Sequence, residues 1–148
     1  MTLEQWLDNA WLIRIEPSAY QVRNLLALAQ REMADASLDG ISDDGKFDHG
    51  YSAVRSLCHA ALHAAGFDVP KGVRQNERVI ESVRFTLGDD WAADADFFDQ
   101  CRRMRHKTLY EGTGIASPRD ASDLLSAAKK LHKAVEAWLN KNHPKLVQ

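Results

Sequence analysis

Apolar residues recur along this chain at steps of three and four, the spacing of helices that bury one side. The cleanest run is Phe47, Tyr51, Val54, Cys58, Ala61 and Ala65, a bundle seam that Gly66 stops, with Pro70 beyond. Small residues on the same stretch, Ala53, Ala60 and Ala64, allow close helix approach. Ahead of it, Ser18 followed by Gln21 reads as a capping box. It opens a helix to about Ser37 through Val22, Leu25, Leu26, Ala29 and Met33. A third helix is predicted from about Val73 to Leu87, with Val79, Ile80, Val83 and Leu87 on one side. A fourth, capped by Asp94 or Asp96, runs to near Gly112 and buries Phe97, Phe98, Cys101, Met104 and Leu109. Ser117, Pro118 and Asp120 start the last helix, whose seam is Ala121, Leu124, Leu125, Ala128, Leu131, Val135 and Trp138. A short N-terminal helix at about Leu3–Asn9 carries Trp6 across one end, with Trp11 just after it. Little reads as strand. The pattern predicts an all-α fold, an antiparallel up-and-down bundle of four or five helices in which short loops join antiparallel neighbours.

Composition changes this picture little. The 148 residues suit one domain, residues 1–148 with a core at about 18–140, and 45% hydrophobic with 27% charged is ordinary for a globular chain. The net charge of −2 excludes a basic nucleic-acid coat, so any attraction to phosphate is local. Cys58 and Cys101 fall on apolar faces without metal-ligand spacing, and read as buried thiols in a reducing compartment. No segment approaches a membrane span and no signal peptide is visible, which points to a cytoplasmic protein.

Candidate chemistry concentrates in residues 101–112, CRRMRHKTLYEG. Arg102, His106 and Tyr110 follow one another at i, i+4 and i+8 on one helical stripe, flanked by Arg103 and Arg105. Guanidinium groups fit phosphate oxygens bidentately, and histidine titrates near neutrality. A stripe of this kind suits a phosphate-bearing partner; alternatively it is a solvated basic face.

Three segments together resemble the HEPN domain, the all-α bundle of higher-eukaryote and prokaryote nucleotide-binding proteins. They are the alanine-rich FDHGYSAVRSLCHAALHAAGFDV, the RMRHKTLY of the penultimate helix, and the final AKKLHKAVEAWL. The family includes metal-independent endoribonucleases, many of them toxins paired with a nucleotidyltransferase antitoxin, and non-catalytic RNA-binding relatives. In the nucleases, an arginine and a histidine of two subunits meet across a homodimer groove. The resemblance puts Arg105 in the arginine place and His106 in the polar place, and Tyr110 stands where the nucleases have their histidine. It implies a homodimer, an RNA or nucleotide partner, and no metal or cofactor.

Metal-free cleavage of RNA needs a base for the 2′-hydroxyl, an acid for the leaving oxygen and cations for the developing charge. Arg102 and Arg103 are the candidate substrate-binding cations, and Arg105, His106 and Tyr110 the candidate catalytic groups. Tyr110, with a reference pKa of about 10, is a poor base at pH 7 but a workable donor. Three functions stay open: an RNA-directed toxin–antitoxin or defence ribonuclease, a non-catalytic RNA-, nucleotide- or protein-binding module, and a structural protein whose stripe makes an oligomer interface.

Other clusters read more plainly. His59 and His63 lie a turn apart, with Arg55 a turn earlier, but no glutamate lies between them to serve a metalloprotease helix. They are structural, or else their line faces the penultimate helix and joins its groove. Lys129, Lys130, His132 and Lys133 read as the exposed back of the last helix, and the acidic stretch Asp39–Asp48 as a solvated connection.

Overall fold

The computed structural model describes residues 1–148 and is mostly helical. Its elements are α1 (Leu3–Asp8), β1 (Ile13–Arg14), α2 (Ala19–Ala36), α3 (Asp43–Ala64), β2 (Phe67–Asp68), α4 (Gln75–Glu81), α5 (Val83–Thr86), α6 (Ala92–Tyr110) and α7 (Pro118–Asn142). The two short strands pair antiparallel, Ile13 opposite Asp68 and Arg14 opposite Phe67, a pairing that the helical periodicity did not announce. No helix is long and apolar enough to cross a membrane.

Local chemistry explains most helix ends. Ser117 and Asp120 form a reciprocal box at α7, each side chain accepting the other's backbone N–H at 3.0 Å. At α2 only half of the expected box forms: Ser18 Oγ accepts from Gln21 N, while the Ser18 N–H donates to His63 Nε2 at 3.0 Å. Neither Asp94 nor Asp96 caps α6, which begins at Ala92 after a 3₁₀ turn, Asp89–Trp91. Instead Asp94 lies 3.4 Å from Lys130 Nζ and Asp96 2.7 Å from Arg84.

The expected helix from Val73 to Leu87 is broken. Val73 lies outside it and is fully exposed, and the helix is interrupted at Ser82 between α4 and α5, although Ser82 keeps helical backbone angles. Ser82 is wholly buried and its hydroxyl donates to Val79 O at 2.6 Å. Its hydroxyl is thus satisfied by the preceding turn, the local alternative open to serine side chains. Val79, Ile80 and Val83 stay buried on both sides of the break.

Packing makes α3 the hub. Ser18 meets His63 and Glu32 meets His49, so α2 runs antiparallel to α3. Asp44 meets Ala116, Lys46 meets Ser122 and Gly50 meets Leu124, so α7 runs parallel to it. Consecutive long helices do alternate in direction. In a square up-and-down bundle, however, this parallel pair would sit on a diagonal rather than in close contact. The approach depends on Gly50, where an added Cβ would stand 3.3 Å from Leu124 Cγ. The core cluster holds Phe47, Val54, Leu57, Leu124, Leu131 and Leu139, all with 1% exposure or less. Trp6 closes one end, 5.8 Å from the Trp11 ring and 5.1 Å from Phe85.

Candidate functional site

The buried face of α6 runs out halfway. Ala95, Phe98 and Cys101 are buried, Phe97 and Met104 are half-buried, and Leu109, expected inside, is 50% exposed. The reason lies in its neighbours: beyond Cys101 the helix is held to α3 by polar contacts. Thr108 Oγ1 donates to Asp48 Oδ1 at 2.6 Å, and Arg105 Nε lies 3.6 Å from the same oxygen. The Arg105 guanidinium also stands 5.6 Å from the Tyr51 ring centroid, within cation–π reach.

This polar end lines an open cleft of about 250 Å³ between α3, α4 and α6. Arg102, Arg105, His106 and Tyr110 all face it, together with Tyr51, Asn76 and the acidic Glu77. Of the five residues singled out in the motif, four are therefore brought together. Arg103 is not: it lines a different surface with Gln100 and Lys107, and lies 3.3 Å from Asp99. The stripe itself is real at its outer end, where the His106 and Tyr110 rings sit 4.8 Å apart and both are exposed.

The cations are less free than the sequence implies. Arg102 Nε donates to Asp99 Oδ1 at 2.9 Å, so Asp99 holds both Arg102 and Arg103. The Asp99 pairs were readable as i,i+3 and i,i+4 partners on one helix. Asp48 was not, because it reaches Arg105 from another helix. Such half-exposed pairs add little stability, but they fix where the guanidinium groups point.

Tyr51 is a further lining residue that the motif did not include, and Arg55 adjoins the cleft through Asn76. Tyr51 is almost wholly buried and its hydroxyl has no hydrogen-bond partner. Burial pushes its pKa up to about 12, against the pull of Arg55, Arg102 and Arg105, so the phenol keeps its proton. The Arg55 Nε donates to Asn76 Oδ1. Of the line Arg55, His59, His63, only Arg55 thus bonds to a residue that lines the cleft, though it is not itself a lining residue. His59 Nε2 pairs with Asp68 at 3.2 Å, and His63 Nε2 accepts the Ser18 N–H. Burial lowers the His63 pKa, consistent with a neutral ring that accepts.

The remaining clusters stay outside the cleft. Asp44 is no mere loop residue: its carboxylate accepts the N–H groups of Gly114 and Ala116 at 2.7 and 2.8 Å, which holds its pKa below the usual carboxylate range. Lys129, Lys130 and Lys133 are exposed on α7, and Lys130 stands 4.9 Å from the Trp91 ring centroid. His132 lies 2.9 Å from Glu136. Cys58 and Cys101 are free and buried, and burial pushes both thiols up to about 12. Glu32, Asp35 and His49 place ligand-type atoms within 4.8 Å of one another, a grouping that exposed acidic side chains commonly make without a metal.

Chemically, the cleft offers guanidinium donors at its wall, a neutral phenol at its base and two exposed rings at its rim, with one carboxylate, Glu77, which lies 3.9 Å from Arg74. That set can hold a phosphate and stack a base. No family model matches the chain, and no curated protein or solved structure matches it.

Proposed function

We propose that the protein is a HEPN-type module that binds single-stranded RNA, or a nucleotide, along the α6 cleft. The observation that carries this reading is the juxtaposition of the exposed His106 and Tyr110 rings with Arg102 and Arg105 on one cleft. Single-stranded RNA is held by just such a combination, aromatic faces for its bases and cations for its phosphates. The test is fluorescence anisotropy of a labelled RNA oligonucleotide with the full chain. Binding is expected to weaken as salt rises. Tyr110→Ala is expected to cost about 1–3 kcal/mol of affinity, the range for one stacked base. Salt-independent binding, or full affinity in Tyr110→Ala, would remove the support.

A second reading is cleavage, and one observation favours it: His106, whose imidazole is of the kind that serves as general acid or base, stands at the rim beside two arginines. One histidine supplies base or acid but not both at once, so this reading needs a second copy to bring another His106 to the groove. Val73, Leu109 and Tyr110, all exposed near that end, offer the apolar area for such a homodimer. A toxin–antitoxin role would add a nucleotidyltransferase partner. Arg105→Ala and His106→Ala are then expected to abolish cleavage in chelator while leaving the fold intact. RNA that survives incubation with the wild-type chain, with and without chelator, leaves binding as the function.

A further inference from the structure

The charges of Arg55, Arg102 and Arg105 bear on the same phenol from two helices. Asn76 accepts from Arg55 Nε and Asp99 from Arg102 Nε, whereas Arg105 Nε, 3.6 Å from Asp48, is buried without a hydrogen-bond partner. None of the three has a protein partner at its terminal nitrogens. The outer N–H fork of each guanidinium is thus unmatched, and that fork is the edge that binds oxyanions bidentately. Asp48 beside Arg105, and Asp99 shared between Arg102 and Arg103, offset part of the positive charge.

Tyr51 is the second, independent observation. It lines the cleft, is 5% exposed, and its hydroxyl has no partner. A buried hydroxyl left unmatched is costly, and native chains keep few of them. A phosphoryl group offers only acceptors, arranged tetrahedrally, so its oxygens can meet forks from different directions and take a proton donor from below. A carboxylate, planar with two oxygens, matches one fork and leaves the others idle.

We infer that Arg102, Arg105 and the Tyr51 hydroxyl, with Arg55 adjoining through Asn76, form a seat for a single phosphoryl group at the base of the α6 cleft. This rests on the reading of that cleft as a nucleic-acid or nucleotide site, and adds which atoms take the phosphate. The hydroxyl is closed off from solvent, so a phosphate oxygen meets it only once a neighbouring side chain shifts. A terminal phosphomonoester and an internal phosphodiester present the same chemistry.

The test measures binding of the full chain to three probes at fixed ionic strength: inorganic phosphate, a short RNA with a 5′-phosphate, and the same RNA with a 5′-hydroxyl. Tyr51→Phe removes one hydroxyl and Arg55→Gln one fork. Arg119→Gln, on the exposed start of α7, makes the same change of net charge away from the cleft. Tyr51→Phe and Arg55→Gln are each expected to weaken RNA binding about tenfold or more, the scale of a hydrogen bond to a charged group, and Arg119→Gln to leave it unchanged. The Tm of Tyr51→Phe is expected to hold or rise, because an unmatched buried hydroxyl is gone. A purely structural tyrosine would give no change in affinity. Loss confined to the 5′-phosphorylated RNA supports the seat and identifies a terminal phosphate; equal loss on both RNAs supports it with an internal one. If the wild-type chain binds RNA and both variants bind it equally well, the seat is overturned and the cleft reading survives. If RNA does not bind but phosphate does, in a Tyr51-dependent way, the seat stands and the RNA reading falls. If no probe binds, both fall.

Discussion

α6 and α7 follow each other in the chain and both pack on α3, but they are held by different means. Over its 25 residues α7 buries Ala121, Leu124, Leu125, Ala128, Leu131, Val135 and Leu139, an apolar stripe along nearly its whole length. Over its 19 residues α6 buries Ala95, Phe98 and Cys101, all before its midpoint is far behind. Its remaining turns are tied to α3 by Thr108 and Arg105 on Asp48, and to themselves by Asp99. Apolar burial is non-directional and strong, whereas half-exposed ion pairs are oriented and weak. The difference teaches why the candidate site lies where it does. A helix end secured by direction rather than by burial can present charged groups to a ligand without unfolding the bundle.

The contrast is sharpest in a pair of leucines. Leu131→Ala in α7 is expected to cost about 3 kcal/mol in urea unfolding, the middle of the range for a buried leucine. A loss below about 1 kcal/mol there would break the comparison. The next largest effect is expected in Asp44→Ala, which strips the carboxylate from the Gly114 and Ala116 N–H groups at the joint between the two helices. The Asp44 pKa is depressed in the folded chain, so its contribution is present above the unfolded value of about 4 and is lost as pH falls through the folded value. The Tm difference between wild type and Asp44→Ala is therefore expected at pH 7 and should close in strong acid.

His63 gives a smaller, pH-dependent effect. Its folded pKa lies below the unfolded value of about 6.5, so acid favours the unfolded chain once pH drops through that value. His63→Gln keeps an acceptor for the Ser18 N–H but cannot titrate. Its Tm is expected to fall less than that of wild type between pH 7.5 and 5.5; parallel curves would show that His63 is not the group. Smallest of all, Leu109→Ala at the exposed end of α6 is expected to change stability by less than about 0.5 kcal/mol. A cost like that of Leu131→Ala would mean that this end is covered, as by a second copy.

Much of the helical layout was legible because it rests on local rules. Ser117 with Asp120, the seam from Phe47 to Ala61, and the stripe on α7 each depend on neighbours within a turn or two. The break at Ser82 was hidden because Val79, Ile80 and Val83 keep helical spacing across it. The site was legible as a set of side chains but not as an environment. Nothing in RMRHKTLY shows that Asp48 meets Arg105, that Arg103 turns away, or that Tyr51 lies beneath. Those facts depend on which face of α3 meets α6, a relation between distant parts of the chain.

The parallel contact of α3 with α7 has a consequence for synthesis. During translation, the hairpin of α2 and α3 leaves the ribosome long before α7, and the face of α3 around Gly50 waits for Leu124. Until then that face is open to water and to other nascent chains, the kind of exposed surface that draws aggregation and chaperones. Changes in α7 are therefore expected to alter how much protein a cell accumulates beyond what their effect on the finished bundle would suggest.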